Sequence, residues 1–237
     1  MNAFVEYFKN IQERNGAIGF IHSCPELMDC VRQVGFLPLL ESGIRGYAAE
    51  SLMAEECCFT QFDDGSWEWP LWQWKGPIVT EGHFAYGKFL NSKAGFVSMD
   101  WWPDLCNYRR AKYPEPDSES IEGVVLDILR VNGSMITREL RSACGFDGPK
   151  MRSRFDTYVT RLQMACRVVT EDFVYPTDKH GNSYGWGWAL LTTPEHLFGH
   201  DANPCRRSPE ESLARLVAHL HALLPQASEK SILKLIG

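Results

Sequence analysis

The chain has 237 residues, 44% of them hydrophobic and 23% charged, and carries a net charge of -6. That is room for one large or two small folded units around a sizeable core. It excludes a general coat for nucleic acid, because phosphate neutralisation drives such binding and demands a basic protein; any nucleic-acid site here has to be a local basic patch.

Residues 1–14 predict an amphipathic helix, with Phe4, Val5, Phe8 and Ile11 at helical spacing. The same stretch has no basic segment followed by an apolar run, so no signal peptide is expected. No stretch reaches about 18 uninterrupted apolar residues, so no membrane span is expected either. Cysteines stand at 24, 30, 57, 58, 106, 144, 166 and 205 without a CxxC pair, which predicts free thiols and a cytoplasmic location. Ser23 is placed to cap a second helix, with Pro25 and Glu26 in its first turn and Gly35 past its end. A third helical stretch is expected from about Ile44 to Glu56. From Cys57 to Tyr108 the character changes to a β-rich, aromatic module. Asp63-Asp64-Gly65 is a hairpin turn signal, and Pro70 and Pro77 argue against a long central strand. Trp67, Trp69, Trp72, Trp74, Trp101 and Trp102 crowd this half. Their large apolar area suits a core, and their flat faces suit a stacking surface.

Two prolines and acidic residues make YPEPDSES, residues 113–120, the linker. Past it, Asp117 or Ser118 is expected to cap a helix whose apolar stripe is Ile121, Val124, Val125, Ile128 and Leu129, closed by Gly133. Thr137 is placed to cap a short helix from Arg138 to Cys144. Gly148-Pro149 is placed to open a third helix that buries Met151, Phe155, Tyr158, Leu162 and Ala165. Val168–Tyr175 and Tyr184–Leu191 follow as strand-like runs. In the second run Gly185, Gly187 and Ala189 share one face, which would let another backbone approach closely. This order of helix, short helix, third helix and hairpin predicts a winged helix-turn-helix, in which the third helix commonly enters a DNA groove. Ser208-Pro-Glu-Glu211 is a capping box that opens a leucine-rich helix. That helix needs an apolar partner, in the body of the protein or in a second subunit. A short final helix is expected after Ser228.

On the third helix Lys150, Arg154, Thr157 and Arg161 fall within an arc of about 60° at 100° per residue. From Arg138 to Arg167 seven Lys and Arg stand against three Asp and Glu, a surplus of +4 within an acidic chain. That face suits phosphate and guanine contacts, and equally a solvated helix surface. Lys179, His180 and Asn182 in the hairpin loop could touch a backbone or form a plain polar turn. Asn107-Tyr108-Arg109-Arg110 is a second basic knot, fit to grip phosphate or to pin the two halves against the acidic linker. His196-x3-His200-x4-Cys205 and Cys24-x5-Cys30 lack the tight pairing of structural zinc, so no metal and no cofactor is expected. There is no GxSxG, HExxH or glycine-rich phosphate loop.

The strings W-x-W-K (72–75), Y-G-K-F (86–89) and N-Y-R-R (107–110), with the YGWGWALLTTPEHLFG ending, give residues 18–199 a resemblance to the AlkZ-related family. That family is similar to compact relatives of the winged-helix AlkZ-like DNA glycosylases, which excise alkylated or crosslinked bases. Their catalytic signature is Gln, an apolar residue, then Gln or Asp. The resemblance implies a match at Gln61-Phe62-Asp63, with Asp63 activating a water that Gln61 holds, although the string abuts a hairpin turn here.

The expected architecture is α+β. It has a mixed, Trp-rich α+β module at 1–112, a linker at 113–120, a winged-helix domain at 121–199 and a helical extension at 200–237. The expected function is binding of double-stranded DNA in a repair-associated role, without demonstrable catalysis. A glycosylase using Gln61 and Asp63 is one alternative. The other is a protein-interaction scaffold, with a homodimer seam on the carboxy-terminal helix.

Overall fold

Apolar side chains gather into two cores that meet along one strand. The computed structural model describes residues 3–9, 19–148, 150–181, 185–199 and 205–237.

The chain opens with α1 (Ala3–Lys9) and α2 (Cys24–Val34). The Ser23 hydroxyl accepts from the Glu26 amide, and Gly35 ends α2 at φ 78. Glycine is needed there twice over, because a Cβ would also stand 2.5 Å from the Trp101 ring. β1 (Phe36–Pro38) follows. The helix expected over 44–56 is absent: Gly43 and Gly46 take positive φ, and only two 3-10 turns form, at Glu50–Leu52 and Glu55–Cys57.

The hairpin turn is present between β2 (Thr60–Gln61) and β3 (Trp67–Glu68), with Gln61 opposite Trp67. The β-rich expectation fails immediately after it. Pro70 opens a helix, α3 (Pro70–Gly82), in which Leu71, Lys75, Gly76, Ile78 and Val79 form one buried face. Proline suits the first turn, where its missing N–H has no intrahelical partner. β4 (Ala85–Leu90) and β5 (Lys93–Val97) form a hairpin through Asn91 and Ser92, both at positive φ. The sheet order is β1-β5-β4, all antiparallel. α4 (Trp102–Lys112) then crosses the first core.

Past residues 113–120, Ser120 rather than Asp117 or Ser118 caps α5 (Ile121–Asn132), its hydroxyl accepting from the Gly123 amide. The linker doubles back over this first turn, so a Cβ on Gly123 would lie 2.1 Å from the Asp117 carbonyl. β6 (Met135–Ile136) and α6 (Thr137–Ala143) come next. Thr137 is the first residue of α6 and not its cap; its hydroxyl donates to the Ala189 carbonyl at 2.9 Å. α7 (Arg152–Met164), β7 (Val169–Val174) and β8 (Trp188–Thr192) complete the unit, with strand order β6-β8-β7. α7 starts later than expected, and Pro149 lies outside the described residues. β8 is also shorter than expected: Gly185 and Gly187 turn left-handed before it, and Tyr184 lies outside the described residues.

The tail contains α8 (Pro194–Phe198), α9 (Pro209–Leu223) and α10 (Glu229–Ile236). Both halves of the Ser208–Glu211 capping box are made, and Ser228 caps α10. The apolar face of α9, Leu216, Leu220 and Leu223, is buried against α4, α10 and α1. Of the two expected partners for this helix, the body of the chain covers that face.

The first core joins α2, α3, α4, α9 and α10 to the β1-β5-β4 sheet. The second holds Val125, Leu126, Leu129, Leu140, Phe155, Val159, Leu162 and Leu191. At the start of β7 Val168 belongs to the second core and Val169 to the first, as alternation across a strand requires. Among the described residues no helix is long and apolar enough to cross a membrane.

Candidate nucleic-acid interface

α7 owes its position to three contacts. Phe155, Val159 and Leu162 fix it to the second core. One flank lies under β4, where the Lys88 amide donates to Gln163 Oε1 at 3.2 Å and the Lys88 ammonium to the Thr160 hydroxyl at 3.2 Å. Its carboxy-terminal turn is held by two arginines of α4. Arg109 donates to the Met164 carbonyl, and Arg110 donates through Nε and Nη2 to the Cys166 carbonyl, the latter at 2.8 Å. Cations at this end also oppose the negative pole of the helix. Cys166, at φ 54, carries the chain out of the helix and into β7.

What this leaves open is the arc predicted from spacing. Lys150, Arg154, Thr157 and Arg161 are all exposed, as is Arg152, which lies just outside the arc. Lys150, Arg152 and Arg154 have no ion-pair partner among the described residues. Arg161 meets Glu122 at 3.2 Å but keeps 65% of its side chain exposed, and so open a pair is worth at most about 1 kcal/mol. A phosphate can therefore compete for it. Alongside runs a groove of about 670 Å³ lined by Lys88, Tyr113, Thr157, Thr160, Arg161 and one acid, Asp156. Lys88 and Arg152 were missed in the sequence. Lys88 is the one exposed position in β4, and nothing in the local sequence brings that strand to α7.

The other expected residues fare differently. Lys179 and His180 are exposed in the β7–β8 loop, shaped by Asp178, whose carboxylate accepts from the His180 amide. Asn182 lies outside the described residues. Arg109 is fully buried, and its guanidinium is spent on the carbonyls of Ile236, Met164 and Phe89, the last at 2.9 Å. It reaches no phosphate, which corrects its expected role. Arg110 is half-buried and closed by Glu195 at 2.6 Å, so it too serves the fold. The acidic linker is indeed pinned by arginines, but by Arg130 and Arg167 on Glu115. Gln61 and Asp63 are both exposed on the β2–β3 hairpin. No described residue encloses them, whereas a water-activating pair gains its power in a site shielded from bulk water. His196 packs its ring against Gly133, and His200 lies outside the described residues.

The tryptophans divide between the two expected roles. Trp102 is fully buried. Trp67 and Trp69 form a box with Trp72 and Trp186, in which Trp67 stacks on Trp186 at 4.5 Å and Trp69 on Trp72 at 5.4 Å. Under the box lies Lys75, 1% exposed, its ammonium 3.1 Å from the Trp72 ring centre and 4.1 Å from that of Phe173. It donates to the Trp186 carbonyl and has no carboxylate partner among the described residues. Burial alone brings its pKa down to about 7. The unfolded chain then holds this proton more tightly than the folded one, so stability rises as pH climbs from about 7 toward 10.5 and the penalty is full below 7. Lys75→Met is expected to be stabilising near neutrality, and its advantage over the wild type should shrink by roughly 2 kcal/mol between pH 7 and pH 9. Urea melts of both proteins at the two pH values measure it; a constant difference would mean that the amine stays charged when folded.

Residues 21–237 match the model of a family described as AlkZ related. No curated protein and no solved structure matches the chain.

Proposed function

The chain belongs to the AlkZ-related family, and from that premise and the open face of α7 we propose that it binds double-stranded DNA in a repair-associated role. Residues 121–199 are read as a winged helix. The order α5-β6-α6-α7-β7-β8 supports this, with the short first strand pairing the last in the sheet order β6-β8-β7. In this reading α7 lies in the major groove, with Arg154 and Arg161 toward phosphates or guanine and Lys150 and Thr157 beside them. Lys179 and His180 in the wing meet the adjacent backbone. Residues 1–112, with α9 packed on α4, act as the platform that holds α7 by its carboxy-terminal turn.

The observation that carries the proposal is the exposed, largely unpaired cationic stripe on a chain of net charge -6. A protein-interaction scaffold has no use for that stripe unless a partner covers it, and among the described residues nothing does. Fluorescence anisotropy of a labelled duplex tests the reading. Binding should weaken steeply with potassium chloride, log K falling with log salt at a slope of about -3 to -4 if four phosphates are neutralised. Binding that is absent at low salt, or indifferent to salt, would sink it.

A further inference from the structure

The roots of the β7–β8 loop and the β2–β3 hairpin enclose a slot of about 540 Å³. Its walls are the rings of Trp67, Trp72 and Tyr175, with Ser66 and Gln73 as polar neighbours. Gly65 and Gly185 form the remaining lining; both have positive φ, and a Cβ on either would meet nothing within 4 Å. They shape the backbone and leave the opening clear. Trp186 belongs to the same box yet is 51% exposed, with Phe59 and Phe62 also exposed nearby. Its carbonyl is held by two donors, the Trp72 indole at 3.1 Å and Lys75 at 3.4 Å. The ring is thus presented to solvent from a fixed backbone. One further group asks for a ligand: the Tyr175 hydroxyl is buried and has no hydrogen-bond partner among the described residues, a state that is uncommon and unfavourable.

We propose that this slot holds one unstacked nucleobase of the DNA bound along α7, a proposal that rests on the DNA reading above. A base offers a flat face to the Trp67 or Trp72 ring, both held in place by contact with Trp186, and a ring nitrogen or carbonyl to the Tyr175 hydroxyl. The hairpin rim is acidic, with Asp63, Asp64 and Glu68 exposed. It repels phosphates, so the slot suits a single inserted base and not a tracked strand. The link to α7 is physical. Trp72 lines both the slot and a smaller cavity of about 260 Å³, whose opposite wall is Asp156, Val159 and Gln163 of α7.

The test compares two duplexes of equal charge in anisotropy titrations, one with a single unpaired adenine and one with an abasic residue at the same place. The wild type should prefer the unpaired base at least 5-fold, as stacking one base on an aromatic ring implies. Trp186→Ala should remove the preference and leave affinity for the abasic duplex unchanged. Tyr175→Phe, which keeps the ring, should reduce it about 3-fold. Equal affinity of the wild type for both duplexes overturns the slot while leaving the α7 interface standing. If neither duplex binds, the α7 reading has failed and free adenosine decides the slot. Quenching of wild-type but not Trp186→Ala tryptophan fluorescence supports it. Absence of quenching, or quenching by tetramethylammonium alone, overturns it.

Discussion

Replacing Arg109 with alanine is expected to destabilise the fold by about 4 kcal/mol, the cost of stripping a buried, fully engaged charge from its partners. The reason lies in what the guanidinium joins. Its three nitrogens reach the carbonyls of Ile236 at the end of α10, Met164 at the end of α7 and Phe89 in β4. Removing it leaves three buried acceptors unpaired and an empty space beneath α4. For a chain of this length the loss corresponds to a fall in Tm of roughly 8–16 °C. Arg109→Lys should recover only part of it, because an ammonium cannot spread donors across a planar fork. Thermal and urea melts measure both; a loss below about 1 kcal/mol would show that the three elements are held by other means. The same substitution should loosen the last turn of α7, so its effect on DNA binding would be indirect.

Arg109 also shows where the sequence was legible and where it was misread. Next to Tyr108 and Arg110 it looks like part of an exposed basic knot. The helical spacing Trp102, Leu105, Cys106, Arg109 was nonetheless present, and it places Arg109 on the buried face of α4. A charge among apolar positions at that spacing is a buried charge whose partners are carbonyls distant in sequence, which no local pattern reveals. α3 was obscured for a related reason. Trp67, Trp69, Trp72 and Trp74 suggest alternation, but the period changes at Pro70. Trp67 belongs to β3, while Trp72 stacks three residues from Trp69 on the first turn of α3. Proline, a strand breaker in that reading, is a helix starter. By contrast, the Ser23 cap, the Ser208–Glu211 capping box and the order of elements from 121 to 192 depend on near neighbours, and these were readable. The cationic arc of α7 was readable too, because its exposure follows from the placement of Phe155, Val159 and Leu162. Lys88 beside it was not, since it arrives from a strand more than sixty residues earlier.

The second large effect is expected at that arc. Arg154→Ala combined with Arg161→Ala should lower affinity for duplex DNA by about 30-fold or more in moderate salt. Both side chains are exposed, and the Arg161 pair with Glu122 is weak, so the melting curve should stay within about 1 kcal/mol of the wild type. Arg32→Ala on α2, which removes an equally exposed arginine paired with Asp29, serves as the control and should bind like the wild type. Affinity alone does not separate lost phosphate contacts from a disturbed helix, whereas the salt dependence does. The decisive measurement is therefore the slope of log K against log potassium chloride concentration for the wild type and the double variant. If α7 lies against the DNA backbone, the two slopes should differ by about 1.8, one counterion-release increment for each arginine. Equal slopes at equal affinity would show that DNA, if bound at all, is bound elsewhere.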